Sequence, residues 1–275
     1  MTSRRLSRVA LVTGAASGIG RRAAEKLALE QGARVYVLDR DAQAADIVAR
    51  GINEAGGSAA SCVLDLADGA RILQSLPSLT TKFGPPDILV NNAGISAMVP
   101  AMDCSLEHWQ TMVAVNLTAP MLLMQYALPH MRAGGWGRIV NISSISGLRA
   151  GTGRTAYGTS KAGLIAMTRQ FAVEVASWGV TVNSIAPGPV DTPLALANHS
   201  TETRSTYLDM VPMRRYGTPD EIADGILFLC SEQASYVTGQ TLAIDGGFVA
   251  AGILVHDLYD KPPASTRPAV VEQTP

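Results

Sequence analysis

Cysteine is scarce in this sequence, and its placement excludes two kinds of protein. Cys62, Cys104 and Cys230 are odd in number and far apart, so they offer neither a disulfide framework nor metal-ligand spacing, and reduced, buried thiols in the cytoplasm are expected. An excess of one charge is lacking too. With 22 basic against 23 acidic residues and a net charge of −1, the chain has no field to gather nucleic acid or an anionic membrane. No apolar run approaches the roughly 18 residues that a bilayer span needs. The first strand is expected from about Arg8, which leaves no room for a signal or transit peptide. There is no internal repeat and no coiled-coil heptad.

What is present is a regular alternation of apolar strands and helices. With 275 residues, 47% hydrophobic and 16% charged, the chain can bury one large core. Strands are expected at 8–13, 34–39, 59–64, 87–91, 137–143, 180–186 and 241–245. Helices are expected between them at 18–31, 42–55, 67–83, 106–131, 155–178 and 219–230. Crossovers of that kind make a parallel sheet, so the fold class is α/β, one doubly wound seven-stranded domain over residues 1–255 with a tail at 256–275. Residues 187–218 have no place in the sheet, and Pro193 and Pro212 limit regular helix there. A long excursion at the carboxyl end of a parallel sheet reads as a lid over a substrate site.

Three groups of residues carry chemistry. Arg8–Val12 runs as a short strand into Thr13-Gly14-Ala-Ala-Ser17-Gly18-Ile19-Gly20 and then a helix, the geometry that brings backbone N–H groups to a pyrophosphate. Asp39 closes the next strand 19 residues after Gly20, where a carboxylate pairs with ribose hydroxyls and repels a 2′-phosphate. That argues for NAD over NADP, although Arg40 could in principle hold a phosphate. Finally, Tyr157 and Lys161 stand one helical turn apart, downstream of Ser144. A phenol next to a fixed cation can act as an acid/base at neutral pH, provided the phenolate gains roughly 4 kcal/mol of stabilisation.

Together with Asn91-Asn92-Ala93-Gly94, Asn116 and Pro187-Gly188, in this order and spacing over residues 7–248, these motifs resemble the short-chain dehydrogenase/reductase family. The resemblance implies a Rossmann-like fold and hydride exchange between NAD and an alcohol or ketone without a metal. It implies that Ser144 binds the substrate oxygen, Tyr157 exchanges its proton, Lys161 lowers the phenol pKa and holds the nicotinamide ribose, and Asn116 supports a water relay. Cofactor contacts are implied at Gly14, Ser17, Gly18, Ile19, Gly20, Asp39, Asp65, Leu66, Asn92, Ala93, Gly94, Tyr157, Lys161, Pro187, Gly188, Val190 and Thr192.

Substrate contacts are expected at Ser96, Ser144, Ser146, Arg154 and Tyr157, with Met98, Leu148 and Thr152 completing the wall. Leu194, Leu196, His199, Tyr207 and Met210 are candidates from the lid. Arg154, three residues before Tyr157, suggests an anionic handle on a hydroxy acid, sugar acid or sulfonate, with Arg149 assisting. The alternatives are a solvated or acid-paired Arg154, and then a 3-ketoacyl-type carbonyl reductase or a dehydrogenase of a neutral sugar or cyclic alcohol. The resemblance also implies a homotetramer, or else a homodimer. The apolar stretch Phe248–Val255 is expected to cross the subunit interface.

Overall fold

A computed structural model describes residues 7–254. Seven strands form its centre: Val9–Thr13 (β1), Arg34–Asp39 (β2), Ser58–Val63 (β3), Ile88–Asn91 (β4), Gly137–Ile142 (β5), Val180–Pro187 (β6) and Thr241–Ile244 (β7). Every residue of β1, β4, β5 and β6 is buried, as strands covered on both faces require. All neighbours pair in parallel, in the order β3-β2-β1-β4-β5-β6-β7. Chain order reverses between β1 and β4, so a crevice opens there beyond the strands' carboxyl ends.

The helices are Gly18–Leu29 (α1), Ala42–Glu54 (α2), Gly69–Leu79 (α3), Leu106–Val113 (α4), Ala119–Gly134 (α5), Thr155–Val175 (α6), Pro193–Asn198 (α7), Thr201–Met210 (α8) and Pro219–Cys230 (α9). Apolar residues of α1, α2 and α9, among them Leu27, Ile52 and Ile226, fill one face of the sheet. Those of α3, α5 and α6, among them Leu76, Leu123 and Val175, fill the other.

Three features depart from the sequence expectation. The helix expected at 106–131 is split by a π turn at Ala114–Thr118, and it continues to Gly134, where left-handed Gly135 (φ 63°) ends it. The joined run Leu106–Gly134 is also long and apolar enough to cross a membrane by composition, contrary to the reading of uninterrupted apolar runs. Half of its most apolar window is buried, and Ala119, Leu123, Met124, Ala127 and Met131 pack in the core. Lastly, the excursion holds α7 and α8 where prolines were expected to limit helix. Pro193 sits in the first turn of α7, where no N–H is required, and Thr192 caps that turn by accepting from the Ala195 N–H at 3.2 Å. Pro212 lies past the end of α8.

Candidate active site

The glycine loop is locked to the end of β4 by side chains. Thr13 Oγ1 accepts from the backbone N–H groups of Asn92 (3.0 Å) and Ala93 (2.9 Å), and Asn92 Nδ2 donates back to the carbonyls of Thr13 (2.9 Å) and Gly14 (3.2 Å). Gly14 and Gly18 take left-handed φ values of 61° and 53°, which only glycine adopts without strain. The loop therefore bends back and leaves a cleft of about 440 Å³ above β1 and β4. Gly14, Ser17, Gly18, Ile19, Asp39, Asp65, Leu66, Asn92, Ala93, Gly94, Pro187, Gly188, Val190 and Thr192 all line it, as expected. Gly20 does not. A Cβ there would stand 2.3 Å from the Gly14 carbonyl oxygen and 2.4 Å from Asn92 Nδ2, so Gly20 serves the packing of α1 under the loop. Asp39 is oriented by the N–H groups of Ala16 and Asp41, each at 3.1 Å, which fixes its carboxylate at the cleft wall. Open loop backbone, a helix N-terminus and a carboxylate at the end of β2 fit a dinucleotide.

Ser144, Tyr157 and Lys161 meet on the far side of the same cleft. β5 delivers Ser144, whose Oγ accepts from the Ser146 N–H at 3.1 Å, and α6 delivers Tyr157 and Lys161 one turn apart. Lys161 Nζ donates to the Ile142 carbonyl at 2.8 Å and lies 5.9 Å from the Tyr157 ring centre. Burial lowers the Lys161 pKa to about 8. Burial raises that of Tyr157, opposed by the Ser144 hydroxyl and the Arg154 charge. Ser144 and Arg154 are thus the neighbours that oppose the rise of the phenol. Asn116 stands behind the cleft rather than in it. Its fully buried side chain accepts from the Ile95 N–H (2.9 Å) and donates to the Ile95 carbonyl (3.0 Å) and Ser160 Oγ (3.1 Å). Ser160 Oγ in turn donates to the Tyr157 carbonyl at 2.7 Å, so Asn116 ties the loop after β4 to the turn that carries Tyr157.

At the other end, Ser96, Ser146, Arg154, Leu194, His199 and Tyr207 complete the wall. Arg154 is 9% exposed, with its guanidinium carbon 5.4 Å from the Tyr157 ring centre. It donates to Ser96 Oγ at 2.7 Å and contacts His199 Nε2 at 3.5 Å. Among the described residues it forms no ion pair, so the acid-paired alternative does not hold. Several expected wall residues lie elsewhere: Met98, Leu148, Leu196 and Met210 are exposed, and Thr152 stays outside the cleft. Arg149 does not assist Arg154. It donates to the carbonyls of Phe248 and Ala251, both at 3.0 Å, and holds the segment after β7. Phe248 also packs on Tyr207 of α8, ring centres 6.0 Å apart. Val255 and the tail at 256–275 lie outside the described residues. Sequence reasoning missed Thr13 as the loop's anchor and the wall residues Ile95, Val115 and Asn198. Thr13 was visible in the glycine motif; apolar Ile95 and Val115 carry no chemical signal.

A family model described as enoyl-(acyl carrier protein) reductase matches residues 14–249. The chain is 40% identical to the 3-oxoacyl-(acyl-carrier-protein) reductase of Aquifex aeolicus, over 87% of this chain and 96% of that protein. It is 41% identical to cis-4-hydroxycyclohexanecarboxylate dehydrogenase of Sinomonas cyclohexanicum, over 88% and 97% respectively. Among solved structures, a gluconate 5-dehydrogenase of Burkholderia cenocepacia in complex with NADP and tartrate superposes with a TM-score of 0.84 at 33% identity, covering 90% of this chain and 98% of that one.

Proposed function

The chain belongs to the short-chain dehydrogenase/reductase family of oxidoreductases, which use a nicotinamide cofactor, and on that premise we propose that it is an NAD-linked dehydrogenase of a hydroxy acid. The substrate is a secondary alcohol whose carboxylate, or a sulfonate in its place, pairs with Arg154. One observation carries the reading: Arg154, nine-tenths buried and without an ion pair among the described residues, opens into the cleft that holds Tyr157 and Ser144. A buried cation in that position is costly unless an anion joins it. The planar fork suits a carboxylate. Two relatives named for acids, the hydroxycyclohexanecarboxylate and gluconate dehydrogenases, support the same class.

In this mechanism Ser144 and Tyr157 hold the carbinol oxygen, and Tyr157 takes its proton. The nicotinamide, when bound, supplies the hydride acceptor and a positive ring. Ser144, Arg154 and the Lys161 ammonium offset the cost of charge on the buried phenol. Asn116, through Ser160 and Ile95, keeps the first turn of α6 in register with the loop after β4. Asp39 favours NAD by pairing with ribose hydroxyls. A second reading, carbonyl reduction with NADP, draws on the Aquifex reductase, on the NADP bound in the Burkholderia structure and on Arg40, which also lines the cleft. The reading extends to a homotetramer, for which exposed Val173 on α6 and Phe228, Tyr236 and Leu242 around α9 and β7 offer apolar surface. It also extends to the cytoplasm, consistent with three unpaired cysteines.

Initial rates with NAD and with NADP, across hydroxy acids, sulfonates and their neutral amides, test this directly. The expected result is faster turnover with NAD and with the anions, and a rise in KM of about 10- to 100-fold for anions alone in Arg154→Ala, the loss of a charged hydrogen-bonded partner. Equal use of neutral alcohols, with Arg154→Ala at full activity, would remove the anionic handle.

A further inference from the structure

The Arg154 guanidinium is held from two sides. Ser96, on the loop after β4, accepts from one terminal nitrogen at 2.7 Å. His199, the residue that closes α7 in the excursion, meets the other at 3.5 Å through Nε2. An arginine nitrogen has no acceptor capacity, so Nε2 must be the unprotonated nitrogen of that imidazole. The ring's proton then sits on Nδ1 and is donated to the Tyr216 hydroxyl at 3.0 Å. Backbone and ring contacts fix the residue further. Its own backbone N–H bonds the Ala195 carbonyl at 2.8 Å, Tyr207 of α8 stacks on it with ring centres 5.2 Å apart, and Tyr216 meets it edge-on at 6.0 Å. The charged groups around it are Arg154 and Arg204, the latter over the Tyr216 ring at 4.1 Å and paired with Asp191 at 2.8 Å. Burial and these two cations lower the imidazole's pKa. Both effects favour the neutral ring, the form that the contact with Arg154 requires.

We propose that His199 is a positioning residue for anion recognition: held by Tyr216 and Tyr207, it locks the Arg154 fork from the lid side, so that the lid sets the enzyme's preference for a carboxylate over a neutral group. The proposal rests on the hydroxy-acid reading and deepens it. With one acceptor on each terminal nitrogen the guanidinium plane is fixed, and three of its five N–H donors remain for the substrate. A fork fixed in advance loses less freedom on meeting an anion than a free one does. Because the second hold comes from the excursion and the first from the sheet, the fork is complete only when α7 lies over the cleft. In this respect His199 differs from the residues that touch the carbinol.

The test is binding of cyclohexanecarboxylate and of cyclohexanecarboxamide to the enzyme saturated with NADH, by titration calorimetry, in wild type, Arg154→Ala, His199→Leu and His199→Gln. Glutamine presents an acceptor where Nε2 stands; leucine does not. Wild type should bind the carboxylate at least ten-fold more tightly than the amide. His199→Leu should lose most of that ratio, and His199→Gln should regain it. Nucleotide affinity, read by fluorescence in each variant, reports whether the fold is kept; were the leucine variant unfolded, His199→Phe at the same stacking position takes its place with the same expectation. A ratio kept in the leucine or phenylalanine variant but lost in Arg154→Ala would overturn the role of His199 and leave the hydroxy-acid reading standing. A wild type with no preference, or a preference that survives Arg154→Ala, would overturn both.

Discussion

At the scale of single residues, the electrostatics of the site differ from the simplest reading of Tyr157 and Lys161. Their spacing was enough to place both in one cleft, yet the ammonium turns to the Ile142 carbonyl and burial drives the phenol upward. Direction of a side chain and depth of burial come from tertiary packing, which a four-residue spacing does not contain. Arg154 was legible as a pocket residue, while its partner His199 was only one of several lid candidates, because their contact joins residues 45 positions apart. The depressed Lys161 has a consequence for stability. Its folded pKa of about 8 lies below the ordinary 10.5, so the unfolded chain binds more protons between those values and stability rises with pH across that window. Below about pH 8 the buried charge is a standing cost. Lys161→Met should thus raise the melting temperature at pH 7 by roughly 2–4 °C for each kcal/mol regained, while greatly reducing turnover. Scanning calorimetry at pH 7 checks it, and a lowered melting point would contradict the assigned burial cost.

At the scale of elements, all seven strands were legible because alternating apolar runs and loop punctuation mark them without tertiary information. The excursion was not. Its prolines were read as breakers, but a proline in a first turn behind a threonine cap starts a helix. The π turn around Asn116 likewise has no signature in an otherwise helical pattern, and the bonds of Asn116 to Ile95 and Ser160 join residues 21 and 44 positions away. The junction of β1 and α1 gives a contrast in glycines. Gly20→Ala would place a methyl 2.3 Å from the Gly14 oxygen. It should cost about 1–3 kcal/mol as overpacking and raise the KM for NAD by shifting the loop. Gly134→Ala, at the open end of α5 with nothing within 4 Å of a Cβ, should be neutral or slightly stabilising. Urea unfolding of both variants decides the matter. Equal stability would mean that α1 and the loop can part without loss.

At the scale of the molecule, the crevice lies where the sheet's strand order reverses; residues of the excursion, among them His199 and Tyr207, line one end of it, and Phe248 of the segment after β7 backs Tyr207. Phe248 packs on Tyr207 within its own chain, whereas Ile253 is 95% exposed, which suits the proposed crossing to a neighbouring subunit. A chain truncated after Gly247 should raise the KM for substrate more than that for NAD, because it removes the support of α8; an unchanged substrate KM would separate that segment from the pocket. Turnover depends above all on Tyr157 taking the carbinol proton beside a bound nicotinamide. The most direct measurement is a single-turnover experiment on Tyr157→Phe, following nicotinamide absorbance after mixing with substrate, alongside a fluorescence titration of the nucleotide. Nucleotide binding close to wild type is expected, with a rate reduced at least about 100-fold, the lower bound for loss of a positioned acid/base. Nucleotide bound as before, with hydride transfer at the wild-type rate, would contradict it.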